Sequence, residues 1–171
     1  MIESHYDIKP QFKGNLGMFL VCAELSKRNL IAMPTSRNMQ GYDVIVLNPE
    51  TKLSLPLQVK CGGKNGFPIL KAHWRDFEQM IEKKVLSAFV FVDILDPDKP
   101  NYFIASEGEM KELLKSSINR VSQQYQLKNT TTWEQMLNKE NTENRNPRNW
   151  AIELRWIEEY RGKWETITNN L

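Results

Sequence analysis

The chain predicts an α/β fold: a mixed central sheet flanked by helices in the core order αβββαβ, with a C-terminal helical extension. Three observations carry that prediction. Apolar residues between Gly14 and Leu30 recur at helical spacing, three β-rich runs follow over 31–60, and a further helix-then-strands succession spans 73–115. At 171 residues there is material for one sizeable core. The expected organisation is a single domain: an α/β core over 1–115, a polar insertion over 116–149, and a helix over 150–171 docking on that core.

Leu16, Phe19, Leu20, Ala23 and Leu25 fall close to i, i+3, i+4 spacing, and Lys27-Arg28-Asn29 is a basic, polar exit suited to the negative end of a helix. Ile31 to Pro34 reads as a short strand, after which a polar stretch ends in the turn glycine Gly41. Val44-Ile45-Val46-Leu47 is β-branched and apolar, and Asn48-Pro49-Glu50-Thr51-Lys52 is turn sequence. Leu53, Leu55, Leu57 and Val59 then alternate, which together predicts an antiparallel hairpin. Cys61-Gly62-Gly63-Lys64-Asn65-Gly66 is a glycine-rich loop that lacks phosphate-loop spacing, and Phe67 to Leu70 is a short extended piece. Trp74, Phe77, Met80 and Ile81 place a helix over 73–84.

Ala88 to Val92 and Tyr102 to Ala105 are strands on either side of the breaker loop Asp96-Pro97-Asp98-Lys99-Pro100. Ser106, with Glu109 three residues on, is a capping box that opens a helix from Glu107 to about Lys115. The stretch to Asn149 is rich in Gln and Asn. From Trp150 to Ile167, Leu154, Ile157, Tyr160 and Trp164 return to helical spacing, with Gly162 a breaker near the end.

Hydrophobic content of 40% and charged content of 26% are ordinary for a globular chain, and no run reaches the roughly 18 apolar residues of a membrane span. Met1 to His5 lacks the pattern of a secretory signal, so a cytoplasmic location without membrane contact is expected. A net charge of +2 neither demands nor excludes a nucleic-acid partner. Cys22 and Cys61 fit no zinc pattern and are expected as free thiols.

The chemistry concentrates in Gly41-Tyr42-Asp43-Val44 and Gln58-Val59-Lys60. Gln58 and Lys60 are two residues apart on one strand and share a face. An acid on one strand with Gln-x-Lys on its neighbour can place a divalent metal beside a phosphate oxygen. Phosphodiester cleavage needs this combination of metal-activated water and charge neutralisation. Asp43 is the principal candidate ligand, Gln58 a neutral oxygen ligand to metal or water, Lys60 the group that orients the water or offsets charge, and Glu24 a second acid.

These residues, in this order, resemble the PD-(D/E)XK nuclease superfamily, which includes restriction endonucleases and Holliday-junction resolvases. Asp43, Gln58 and Lys60 match its motif positions, Glu24 its helical acid, and the segment order Gly14-Asn15-Leu16-Gly17, Ala23-Glu24-Leu25, Thr35-Ser36-Arg37-Asn38 matches over about the first 105 residues. The resemblance implies a restriction-endonuclease-like sheet, a DNA endonuclease activity dependent on Mg2+ or Mn2+, and DNA as partner, with a homodimer as a further expectation. Tyr42 stands where the motif has proline. Gln58 stands where most members have Asp or Glu, as in some Mrr-like branches, and removes one negative charge. Unit charges about 4 Å apart interact by about 4 kcal/mol at an effective dielectric near 20, so weak metal binding is implied.

Simpler readings stand beside these. Asp43 alone is a turn carboxylate, and Lys60 alone a strand-end lysine. Glu24, four residues before Arg28, makes a favourable helical pair. Arg37, Lys52, Lys64, Lys71 and Arg75 form either a phosphate-contacting rim or scattered surface charge. Loss of catalysis, leaving a nuclease-fold module that binds nucleic acid or protein, is the alternative function.

Overall fold

A computed structural model of the chain describes residues 8–36, 42–63, 66–70, 88–124 and 149–171. Helix α1 (Pro10–Ser26) begins on a proline, whose fixed φ suits the first turn and whose missing N–H would have no intrahelical partner there. It ends in a Schellman-type turn. Asn29 takes φ 59°, Leu30 N–H donates to Leu25 O at 3.2 Å, and Asn29 N–H donates to Ser26 O at 3.1 Å. The buried stripe of α1 is Gly17, Val21 and Leu25, whereas Phe19, expected on the inner face, is 59% exposed. Apolar residues surround this helix, so periodicity alone selects no face. Gly17 selects it: a Cβ there would lie 2.6 Å from Cys61 Cβ, so only a glycine lets the helix settle on that strand.

The strands are β1 (Ile31–Pro34), β2 (Val44–Leu47), β3 (Ser54–Gly62), β4 (Phe67–Leu70), β5 (Ala88–Asp93), β6 (Asn101–Ser106) and β7 (Asn149–Ile152). Five of them form a mixed sheet in the order β1-β2-β3-β5-β6, antiparallel except for the parallel pair β3–β5. The predicted hairpin is β2–β3. Its turn is held by Asn48 Oδ1 accepting Glu50 N–H at 2.9 Å, with Lys52 at φ 66°. Pro56 is tolerated in β3 because Leu57 O faces β2, which turns the Pro56 nitrogen to the other side, where β5 begins only level with Leu57.

Both faces of the sheet are covered, which leaves all six residues of β5 buried. On one face α1 packs with Val44, Val46, Leu57, Val59 and Val90, joined by Trp164 and Ile167. On the other, Phe89, Phe91 and Phe103 pack with Phe67 and with Met110 and Leu114 of α2 (Glu107–Gln124). The Phe67 ring meets Phe91 edge-on at 5.1 Å. The capping box is present: Ser106 N–H donates to Glu109 Oε2 at 2.7 Å, and Glu109 N–H to Ser106 Oγ at 3.3 Å.

Two expectations are corrected. The helix expected to stop near Lys115 continues to Gln124, so the start of the 116–149 segment is helical; residues 125–148 lie outside those described. The segment 150–171 is not one helix. Its start completes β7, which pairs antiparallel with β4, and two 3-10 turns (Leu154–Trp156 and Glu158–Tyr160) and the short helix α3 (Glu165–Thr168) follow. Strand pairing takes the first residues, and Gly162 at φ 66° breaks the rest, its N–H donating to Tyr102 O at 2.8 Å. The segment still docks on the core, through Ile157, Tyr160, Trp164 and Ile167. The expected helix over 73–84 falls outside the described residues. No helix among the described residues is long and apolar enough to cross a membrane.

Candidate functional site

The site forms where β2 ends and β3 continues. Asp43 N–H donates to Leu57 O at 2.9 Å although the register partner of Leu57 is Val44. Two residues stand against one, as in a β-bulge, a device that re-aims a side chain at a strand end. The Asp43 carboxylate turns onto β3, where Oδ2 accepts Val59 N–H at 2.8 Å and also a hydrogen bond from Gln58 Nε2. The same Gln58 nitrogen approaches Val59 O at 3.4 Å. Side-chain groups thus take over the main-chain partners that β2 no longer supplies.

Gln58 and Lys60 share a face, as expected, beside their register partners Phe89 and Phe91 on β5. Gln58 is buried and Lys60 half-buried. Burial pushes the Asp43 carboxyl above its usual pKa, partly offset by the Val59 N–H and the Lys60 charge. Burial likewise pushes the Lys60 ammonium below its usual pKa, opposed by the Asp43 charge. Each charge lessens the other's cost of leaving water, so the two form one electrostatic unit at the sheet end.

On the α1 side of Asp43 a cleft of about 410 Å³ opens, walled by Gly14, Asn15, Met18 and Phe19 of α1 and by Thr35 and Ser36 beyond β1. Thr35 is fixed there by its N–H to Asp43 O at 2.9 Å and its hydroxyl to Tyr42 O at 2.7 Å.

Glu24 is not brought to this cluster. It lies roughly 9 Å further along the helix axis than Met18, from the rise of 1.5 Å per residue. Its carboxylate pairs with Lys27 at 2.7 Å and Arg28 at 2.8 Å. Burial raises its pKa, but the bonds and charges of Lys27 and Arg28 outweigh that and leave it below the usual value. Arg28 in turn lies 4.3 Å over the Trp164 ring, so Glu24 helps clamp the C-terminal segment to α1. The helical-pair reading of Glu24 is the one the geometry matches. Lys52 sits in the hairpin turn, at the opposite end of β2 and β3 from Asp43. Arg37, Lys64, Lys71 and Arg75 lie outside the described residues. Both cysteines are free, and burial pushes the Cys61 thiol up to about 11, which disfavours a thiolate nucleophile.

No group of three or more His, Cys, Asp or Glu able to hold a metal occurs among the described residues. The oxygens that do converge are the Asp43 carboxylate and the Val59 carbonyl, with the Gln58 NH2 between them. Half a turn of that amide exchanges NH2 for Oε1, leaving three oxygens around one point. One carboxylate with neutral oxygens suits magnesium, which keeps several waters and takes further oxygens from phosphate. The Val59 carbonyl is the member sequence reasoning misses, because a main-chain oxygen has no letter of its own. Its only signal is its place as the middle residue of Gln-x-Lys.

The fold and cluster define an α/β protein with a five-stranded mixed sheet flanked by helices, carrying a carboxylate, an amide and a lysine together at one sheet end. Comparison with protein-family models, with curated proteins and with solved structures finds no match.

Proposed function

We propose that the chain is a restriction-endonuclease-like nuclease of PD-(D/E)XK type that hydrolyses DNA phosphodiester bonds with Mg2+ or Mn2+. The observation that carries this reading is the convergence of Asp43, Val59 O and the Gln58 amide on one point, electrostatically coupled to Lys60. The arrangement of an antiparallel meander whose third strand runs parallel to the next core strand supports it.

A divalent cation held there supplies a Lewis acid to phosphoryl oxygens and lowers the pKa of a bound water. Asp43 would hold the cation as its charged ligand, with Val59 O and Gln58 Oε1 as neutral ones. Lys60, its pKa lowered by burial, serves to orient the attacking water, accept its proton or offset phosphoryl charge. With Asp43 the one carboxylate there among the described residues, the site would hold a cation weakly on its own, and phosphate oxygens of DNA would complete the ligand set.

The test is cleavage of plasmid, branched and single-stranded DNA with either metal. Asp43→Asn abolishes cleavage on this reading, and equal activity in the variant refutes it. A second reading has its own observation: the Gln58 NH2 donates to Asp43 and Glu24 is engaged by Lys27 and Arg28, which leaves a single acid at the site among the described residues. That is the pattern of a catalytically degenerate nuclease fold serving as a nucleic-acid- or protein-binding module. Salt-sensitive DNA binding without cleavage in any divalent metal selects it.

A further inference from the structure

Phe19 leaves 59% of its surface in water while forming a wall of the cleft that contains Asp43. Phe12 lies seven residues earlier, two turns along the same helical stripe, and is 53% exposed. Asn15, Thr35 and Ser36 line the same cleft, where the Thr35 hydroxyl, donating to Tyr42 O, keeps its oxygen as an acceptor. Gly14, one turn before Met18, has open space where a Cβ would stand. An apolar ring sharing a cleft with polar side chains matches a nucleobase, which has a π-face and a polar edge. The cleft of about 410 Å³ is on the scale of small-molecule pockets, roughly 300–1,000 Å³. In a duplex the base faces are already stacked on one another, so only an unpaired or extruded base offers its face to the ring.

We infer that Phe19 is the stacking platform for an unpaired base of the strand presented to Asp43, so that the substrate is single-stranded DNA or a duplex with that strand displaced. The inference rests on the nuclease reading for the role of Asp43, but the base-stacking role of Phe19 is separable from it. Stacking is sequence-tolerant, because every base has a π-face.

The experiment measures fluorescence anisotropy of a labelled oligothymidylate and of a blunt duplex of equal length, in EDTA, with wild-type protein and with Phe19→Ala, Phe19→Leu and Phe19→Trp. Wild type binds the single strand more tightly than the duplex. Phe19→Ala and Phe19→Leu weaken single-strand binding by roughly 5- to 100-fold, and Phe19→Trp retains it. Thermal melts confirm folding, which an exposed side chain does not control. Equal single-strand affinity in Phe19→Ala, a preference for duplex, or a wild-type dimer that Phe19→Ala dissociates without change in DNA affinity each overturns the inference. Phe19-dependent binding with no metal-dependent cleavage upholds the stacking role and defeats the nuclease reading. Asp43-dependent cleavage indifferent to Phe19 does the reverse.

Discussion

Gly17→Ala tests how α1 is seated, and with it the cleft wall that α1 carries. The added Cβ would stand 2.6 Å from Cys61 Cβ, 3.0 Å from its Sγ and 3.6 Å from its Cα. Carbon atoms pack best at about 3.5–4.0 Å, so helix and strand must part by roughly 1 Å. The obstructing Cβ is tied to the main chain, so no rotamer change relieves it. Overpacking of this kind costs about 1–3 kcal/mol, and the better helix propensity of alanine returns up to about 1 kcal/mol. The expected net loss is about 1–2 kcal/mol. For a chain of this length that lowers Tm by about 2–8 °C. Circular-dichroism melts with urea titration measure it. Cys61→Gly in the same chain removes the obstructing atoms, so the double variant shows a favourable coupling beyond the sum of the single effects. A Gly17→Ala protein as stable as wild type, or more stable, refutes the account of why α1 sits where it does.

Gln58→Glu sets a second carboxylate against Asp43. It lowers stability in EDTA at neutral pH and tightens Mn2+ binding by roughly 10- to 100-fold in calorimetry; no gain in affinity removes Gln58 from the cation site. Glu24→Gln leaves cleavage and metal affinity unchanged while costing about 0.3–0.5 kcal/mol of stability, the scale of a partly exposed helical pair; lost cleavage with an unchanged melt returns Glu24 to the site. Lys60 has a folded pKa below its unfolded value of about 10.5, so its contribution to stability is full above that value and is lost as pH falls through the folded pKa. The stability of wild type relative to Lys60→Met therefore rises with pH across that alkaline window, while Cys61 and Tyr102, whose raised pKa values both proteins share, pull each of them the other way; paired melts against pH resolve the difference.

Much of the sheet is legible in the residues. The alternation from Leu53 to Val59 and the turn at Asn48 are local signals that the hairpin obeys, and the Ser106–Glu109 pair fixes the start of α2. The C-terminal segment is not legible in this way. Its helical spacing is overridden by a main-chain pairing with β4, distant in sequence, and by the positive φ of Gly162. The inner face of α1 is hidden for a related reason: the choice is made by close contact with Cys61, a feature of Gly17 that hydrophobicity does not register. In the candidate site, Asp43, Gln58 and Lys60 stand together because strand geometry converts their spacing directly into a shared sheet end. Glu24 is misplaced because helical position alone does not say whether an acid meets the sheet end or its own Arg28. The Val59 carbonyl is invisible because its place beside Gln58 and Asp43 depends on where the β2 pairing stops.

Locating Mn2+ by its anomalous scattering, in crystals of the protein grown with the metal, puts the proposed cation site to a single observation. The expected result is one ion bound by the Asp43 carboxylate, Val59 O and Gln58 Oε1, with the amide NH2 turned away and Lys60 alongside. An amide still donating to Asp43 with no ion between them, or an ion held without Asp43, contradicts the nuclease account.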